Sequence, residues 1–177
     1  MKLLACPKCH QQLHLENKTL KCENNHCYDI SKRGYINLLL NPDKATNNPG
    51  DSKESLVARK AYLNKGYYDP ILNQVITCID EFKHQDDLSI LDLGCGEGYY
   101  TQGLKKHFEN SDIYGLDISK IAIDMATRYR KDVTWLVGNS KNIPILDHSL
   151  DFICALFTVV NQDELKRALK EDGYIAV

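Results

Sequence analysis

The stretch Ile90-Leu-Asp-Leu-Gly-Cys-Gly-Glu-Gly-Tyr-Tyr-Thr101 constrains this chain more than any other. Ile90, Leu91 and Leu93 form a short apolar run that breaks into Gly94, Gly96 and Gly98, beyond which a helix can start. This is the pattern of a buried strand ending in a tight turn that opens a helix. Glycines in the turn let a ligand approach the backbone, and the free N–H groups of a helix start attract negative charge. The spacing G-x-G-x-G differs from the G-x-G-x-x-G of nicotinamide-binding turns, and Asp92 lies two residues before the first glycine.

A chain of 177 residues has room for one medium domain with a small appendage. No apolar run approaches the roughly 20 residues of a membrane helix, and the apolar stretch in MKLLACPKC is too short for a signal peptide. A cytoplasmic protein with reduced cysteines and no membrane contact is expected. Up to Lys60 basic residues outnumber acidic ones, and the remainder is acidic, which puts any polyanion contact on the N-terminal part.

Four of the seven cysteines precede residue 28, a clustering that favours metal over disulfides. Cys6-Pro-Lys-Cys9 is one short-spaced pair, and Cys22-x-x-x-His26 is the other. Two such pairs can close a tetrahedron around Zn²⁺. Cys6, Cys9, Cys22 and His26 are the best set, with Cys27 as the rival fourth ligand. Leu13, Leu15 and Leu20 around Asn17-Lys18 read as a hairpin between the pairs, with His10 and His14 exposed. So small a module has little core, and the metal supplies most of its folding energy.

Lys32-Arg33-Gly34 follows, flanked by Tyr28, Ile30, Tyr35, Ile36 and Leu38. The basic turn could meet phosphates with Tyr35 on a base, but packing of the module against its neighbour is the better reading of the tyrosines. This divides the chain into a zinc-binding module over 1–40, a proline-containing linker over 41–50 and a larger domain over 51–177. In the larger domain Asp51 with Glu54 reads as a capping box, and Asp69-Pro70 opens a second helix whose apolar face runs to Phe82. From Leu88 strands and helices alternate. Strands at 88–93, 112–116, 133–137, 150–157 and 174–177 are separated by helices at about 99–108, 119–130 and 162–170. The expected fold is α/β, with five parallel strands, right-handed crossovers and a ligand at the strands' carboxyl ends.

Asp117 ends the second strand, where an acid can accept two hydrogen bonds from a ribose diol. With the glycine turn and Asp92, this resembles motif I of S-adenosylmethionine-dependent methyltransferases, a Rossmann-like class I fold. Asn139 then stands where such enzymes place a residue against adenine, with Pro144 following, and Ser149-Leu-Asp151 matches their approach to the fourth strand.

The ordered set C-P-x-C, C-x₃-H, G-Y-x-N-L-L, P-G-D-S, Y-Y-D-P and L-D-L-G-C-G-E-G-Y-Y-T is similar over essentially the whole chain to the RlmA-type 23S ribosomal RNA (guanine-N1)-methyltransferases. The resemblance implies zinc at Cys6, Cys9, Cys22 and His26, and S-adenosyl-L-methionine held by Tyr68, Gly96 and Glu97 alongside Gly94, Asp117 and Asn139. It also implies a homodimer whose zinc modules help to grip a 23S ribosomal RNA hairpin. Two departures matter: the family's domain continues beyond a fifth strand, and Leu156-Phe-Thr-Val-Val-Asn161 lacks the family's tyrosine–proline pattern. No catalytic base is assigned. The expectation is a self-associating chain that binds the cofactor weakly and turns over negligibly alone. The alternatives are an inactive zinc/RNA-binding module and a small-molecule methyltransferase.

Overall fold

The computed structural model describes residues 1–40, 50–82 and 87–177. Its N-terminal part is an antiparallel ribbon of β1 (His14–Glu16), β2 (Thr19–Lys21) and β3 (Cys27–Asp29), in that spatial order. Asn17 takes a left-handed φ of 59° at the β1–β2 turn, a conformation asparagine tolerates better than most residues. The expected hairpin is present, and β3 adds a strand too short to show alternation in the sequence.

Ile36–Asn37 form β4, which leaves the ribbon and lies parallel to a strand a hundred positions later, Ile36 opposite Leu136. The 28–40 segment therefore does more than lean on its neighbour. Tyr35, Ile36 and Leu38 are buried, and Arg33 reaches Asp124 at 2.7 Å. Packing accounts for Tyr35, which is unavailable to a base. The linker expected over 41–50 falls, except for Gly50, outside the described residues.

The helices and strands that follow are α1 (Lys53–Leu63), α2 (Asp69–Phe82), β5 (Ser89–Leu93), α3 (Tyr99–His107) and β6 (Asp112–Asp117). Then come α4 (Lys120–Ala126), β7 (Thr134–Val137), β8 (Leu150–Cys154), α5 (Gln162–Ala168) and β9 (Leu169–Ala176). The sheet order is β4-β7-β6-β5-β8-β9, parallel throughout, which makes six strands where the alternating pattern suggests five. Several boundaries also differ, and β8 stops at Cys154, short of the expected Phe157. Ser52 rather than Asp51 caps α1, its hydroxyl accepting the Ser55 N–H at 3.2 Å. α4 stops at Ala126, short of Arg130. β9 starts at Leu169, directly after α5, so the charged Lys170-Glu-Asp172 stretch is edge strand rather than the end of a helix.

Alternate residues of the sheet supply two separate cores. Ile90, Ile113, Trp135 and Phe152 face α2, α3 and α4, meeting Val75, Ile79, Leu104 and Ile123. Leu91, Leu93, Tyr114, Leu136 and Ile153 face the other way, toward α5 and the ribbon residues Leu4, Leu13, Leu20 and Cys22. The connection from β7 to β8 carries no helix. The ribbon fills that place, with Ala5 N–H on the Pro144 carbonyl at 3.0 Å, Leu146 N–H on Leu3 at 2.9 Å and Asn142 Nδ2 on Pro7 at 2.8 Å.

Among the described residues no helix is long and apolar enough to cross a membrane.

Candidate functional site

The two short-spaced pairs converge. Cys6, Cys9 and Cys22 Sγ and His26 Nδ1 all lie within 4.8 Å of one another. Sulfur-to-Nδ1 distances are 3.4 Å from Cys6 and 3.5 Å from Cys9 and Cys22, and Cys9 to Cys22 is 3.7 Å. A tetrahedron with the usual Zn–S and Zn–N bond lengths has edges of about 3.8 Å between sulfurs and about 3.5 Å from sulfur to nitrogen. The donor set and its dimensions fit Zn²⁺. Cys27, the rival expected from the sequence, is exposed, turned toward the Asn25 carbonyl and outside the cluster. The Tyr28 hydroxyl stands 3.3 Å from Cys6 Sγ, placed to steady a thiolate from behind.

At the carboxyl ends of β5, β6 and β7 the three glycines of the turn all have positive φ, 76°, 56° and 88°. They do different things. A Cβ on Gly98 would come within 2.6 Å of the buried Trp135 ring, so that glycine serves packing. A Cβ on Gly96 would meet nothing within 4 Å. That open space is where a ligand can lie against the backbone.

Asp117 pins the turn. One carboxylate oxygen accepts the Gly96 N–H at 2.9 Å, and the other accepts the Ser119 N–H at 2.7 Å. Each oxygen keeps a second lone pair, so the ribose-accepting role expected from the sequence and this structural one are compatible. Burial raises its pKa, against the pull of those two N–H groups.

Two adjoining clefts flank the turn and share Gly94. One of about 360 Å³ is lined by Asp92, Gly96, Glu97, Tyr68 and Tyr100, with Arg59 of α1 at its side. The other, about 230 Å³, holds Asp117, Ile118, Asn139 and Ser140. The six cofactor residues expected from the sequence therefore line two neighbouring spaces, and all of them border one or the other. Tyr100 was not singled out by the sequence reading. Its hydroxyl is buried and without a protein partner, and burial pushes its pKa up to about 12. Nor were Arg59, Tyr62 or Phe157, which line the larger cleft from α1 and from the loop after β8. No motif marks any of them. Tyr100 alone carried a hint, being part of the glycine stretch.

Asp92 sits under the larger cleft, 2 % exposed, accepting the Thr101 hydroxyl at 2.5 Å. Burial, seconded by the charges of Asp117 and Glu97 against the Thr101 bond, raises its pKa to about 7. A carboxyl raised by folding stabilises the fold below its unfolded pKa of about 4, and that contribution is lost as pH rises through about 7. Asp92→Asn should keep the Thr101 contact and remove this dependence. We expect it to stabilise the fold by at most about 4 kcal/mol and so raise the melting temperature, more at pH 8 than at pH 5. Thermal melts of both proteins at the two pH values check this; an equal change at both would show that folding does not raise the Asp92 pKa.

The N-terminal residues 4–45 match the family "RlmA, N-terminal", a zinc ribbon, and residues 90–173 match the family "Methyltransferase domain". The 23S rRNA (guanine(748)-N(1))-methyltransferase of Streptomyces fradiae is 28% identical over 179 residues, 100% of this chain and 63% of the relative. YxjB of Bacillus subtilis (strain 168), whose assignment to 23S rRNA guanine-N1 methylation is itself provisional, is 30% identical over 98% of this chain and 62% of its own length. The chain thus spans less than two thirds of the relatives it matches. Among solved structures, a Methanococcus maripaludis protein provisionally assigned as an S-adenosyl-L-methionine-dependent methyltransferase superposes with a TM-score of 0.60 at 23% identity, covering 74% of this chain and 66% of that one. That likeness is one of fold.

Sheet order, glycine turn and paired clefts define a Rossmann-like S-adenosylmethionine methyltransferase domain, here built together with a zinc ribbon. Over nearly its whole length the chain is similar to proteins named 23S rRNA (guanine-N1)-methyltransferases, and its N-terminal part matches the RlmA zinc ribbon.

Proposed function

We propose that this chain takes part in methyl transfer from S-adenosyl-L-methionine to N1 of a guanine in 23S ribosomal RNA, in the cytoplasm. The observation that carries the reading is the pair of clefts joined at Gly94, together with a zinc ribbon built into the same core. The bound cofactor supplies an electrophilic methyl group on a sulfonium. Asp117 accepts hydrogen bonds from its ribose, and Asn139 and Ile118 flank its adenine in the smaller cleft. Gly96 allows close approach in the larger cleft, where Asp92 and Glu97 bring negative charge toward the cationic end and Tyr68 and Tyr100 enclose it. Arg59 and Lys60 offset part of the Glu97 burial cost. The zinc is held by Cys6, Cys9, Cys22 and His26 and has a structural role, with no open position in the four-ligand set. The chain works as a homodimer in which the ribbons bear on an RNA hairpin, and the exposed Lys32 beside the ribbon suits that contact.

The test is transfer of tritiated methyl from S-adenosyl-L-methionine to unmodified 23S RNA, using the zinc-loaded 177-residue chain. Saturable incorporation at one guanine, even at the low rate expected of the chain alone, would support the reading; incorporation into small-molecule acceptors but not RNA would overturn the substrate assignment. Asp117→Ala should weaken cofactor binding by roughly tenfold or more, the loss of hydrogen bonds to a charged group. Calorimetry that finds parent-like affinity would leave Asp117 with its structural role only.

A further inference from the structure

The loop after β8 carries a feature that neither the fold nor the cofactor site requires. Phe157 is 78% exposed, the most open aromatic ring among the described residues, and it sits in the left-handed region at φ 57°. Phenylalanine is seldom found there, and an exposed ring gains nothing from burial. The backbone is nevertheless fastened. The next residue, Thr158, lies directly on the glycine turn, where a Cβ on Gly94 would collide with its side chain. Thr158 thus holds Phe157 over the mouth of the larger cleft.

The neighbours of Phe157 are also aromatic. Its ring meets Tyr68 edge-on, centroids 6.0 Å apart at 73°, and Tyr68 meets Tyr62 at 6.0 Å and 72°. The contact with Tyr68 steadies the ring, and most of its surface stays open to solvent. The mouth is thereby a rim of rings with one unpaired aromatic platform, set above the space that holds Asp92 and Gly96. Every nucleobase has a π-face, and stacking on such a platform is how proteins hold an unpaired base.

We propose that Phe157 is the stacking platform for the acceptor purine of the RNA, positioning the base over the larger cleft. This rests on the methyl-transfer reading above. Phe157 touches the base but moves no proton.

The experiment uses the zinc-loaded chain, S-adenosylhomocysteine or S-adenosyl-L-methionine, and an unmodified 23S RNA transcript. Phe157→Ala should weaken RNA binding, and raise KM for RNA, by about 10–100-fold. Cofactor affinity by calorimetry should fall far less than RNA affinity, since the ring lines the cleft but offers the cofactor no polar group. Phe157→Tyr should restore RNA affinity and Phe157→Leu should not. A Phe157→Trp variant adds a direct signal: emission from the new indole should be quenched when RNA binds, while the native Trp135 is buried.

Methyl transfer that proceeds in the parent and is unchanged in Phe157→Ala would overturn the platform and leave the function standing. Quenching and the alanine defect without any methyl transfer by the parent would sustain the platform and overturn the transfer reading. A loss of cofactor binding in Phe157→Ala with RNA binding intact, rescue by leucine, or a parent that binds no RNA would each overturn the proposal.

Discussion

Cys22→Ser should strip the protein of zinc and unfold far more than the ribbon. Cys22 is one of four ligand atoms within 4.8 Å of one another, and its side chain is also buried in a core with Leu4, Leu13 and Leu20. That same core contains Leu91, Leu93 and Leu136 of the central strands. Structural zinc contributes about 10–16 kcal/mol of apparent binding in zinc-finger peptides, against a total stability of about 5–15 kcal/mol for an ordinary domain. Loss of the metal therefore uncovers the part of that sheet face on which the ribbon packs. Metal analysis should give one zinc per parent chain and none for Cys22→Ser, with the variant binding a hydrophobic dye and losing a cooperative melt. Cys27→Ser, by contrast, should keep its zinc and melt with the parent, because Cys27 is exposed and outside the cluster. If Cys27→Ser released the metal while His26→Ala retained it, the ligand set would be wrong.

Gly96→Val should nearly abolish cofactor binding while leaving the protein folded. A Cβ at Gly96 meets no protein atom within 4 Å, so the main cost to the fold is the left-handed backbone, about 1–2 kcal/mol. The added atoms project instead into the cleft shared with Asp92 and Glu97. Affinity for S-adenosyl-L-methionine should fall by roughly a hundredfold or more, because a ligand displaced by a branched side chain loses contacts along its length. Gly98→Val is the contrasting case, since it drives a side chain into Trp135 and should fail as a folding defect. Calorimetry and melting curves on both variants separate the two. Parent-like affinity in a folded Gly96→Val protein would show that no ligand lies against the turn.

Much of this was legible because its causes are local. Ligand spacing in Cys6-x-x-Cys9 and Cys22-x-x-x-His26 is a property of a few consecutive residues, and so is the break from Leu93 into glycine. The alternation of strands and helices showed the parallel sheet, whose central strands are almost continuously buried. What stayed hidden depends on residues far apart in the chain. β4 is two residues long, and nothing in Ile36-Asn37 announces a partner at Leu136-Val137. The choice of Ser52 over Asp51 as cap shows only in which side chain accepts the Ser55 N–H. Asp117 offered a ribose acceptor in the sequence, but its hold on the Gly96 and Ser119 amides is visible only once β5 and β6 are side by side. The rim of Tyr62, Tyr68 and Phe157 comes from three separate elements, which no spacing rule links.

The pairing of Ile36 with Leu136 has a consequence for how the chain is made. During synthesis the ribbon emerges first, and the strand it feeds must wait about a hundred residues for its neighbour. At translation speeds of about 5–20 residues per second that wait is roughly 5–20 s. Through it the apolar side of the ribbon, with Leu4, Leu13 and Leu20, has no sheet to cover it. All four metal-binding atoms, however, come from residues 6 to 26 and need nothing later in the chain. Zinc can close the ribbon as soon as His26 is free of the ribosome, and so keep a preformed surface ready for a sheet that does not yet exist.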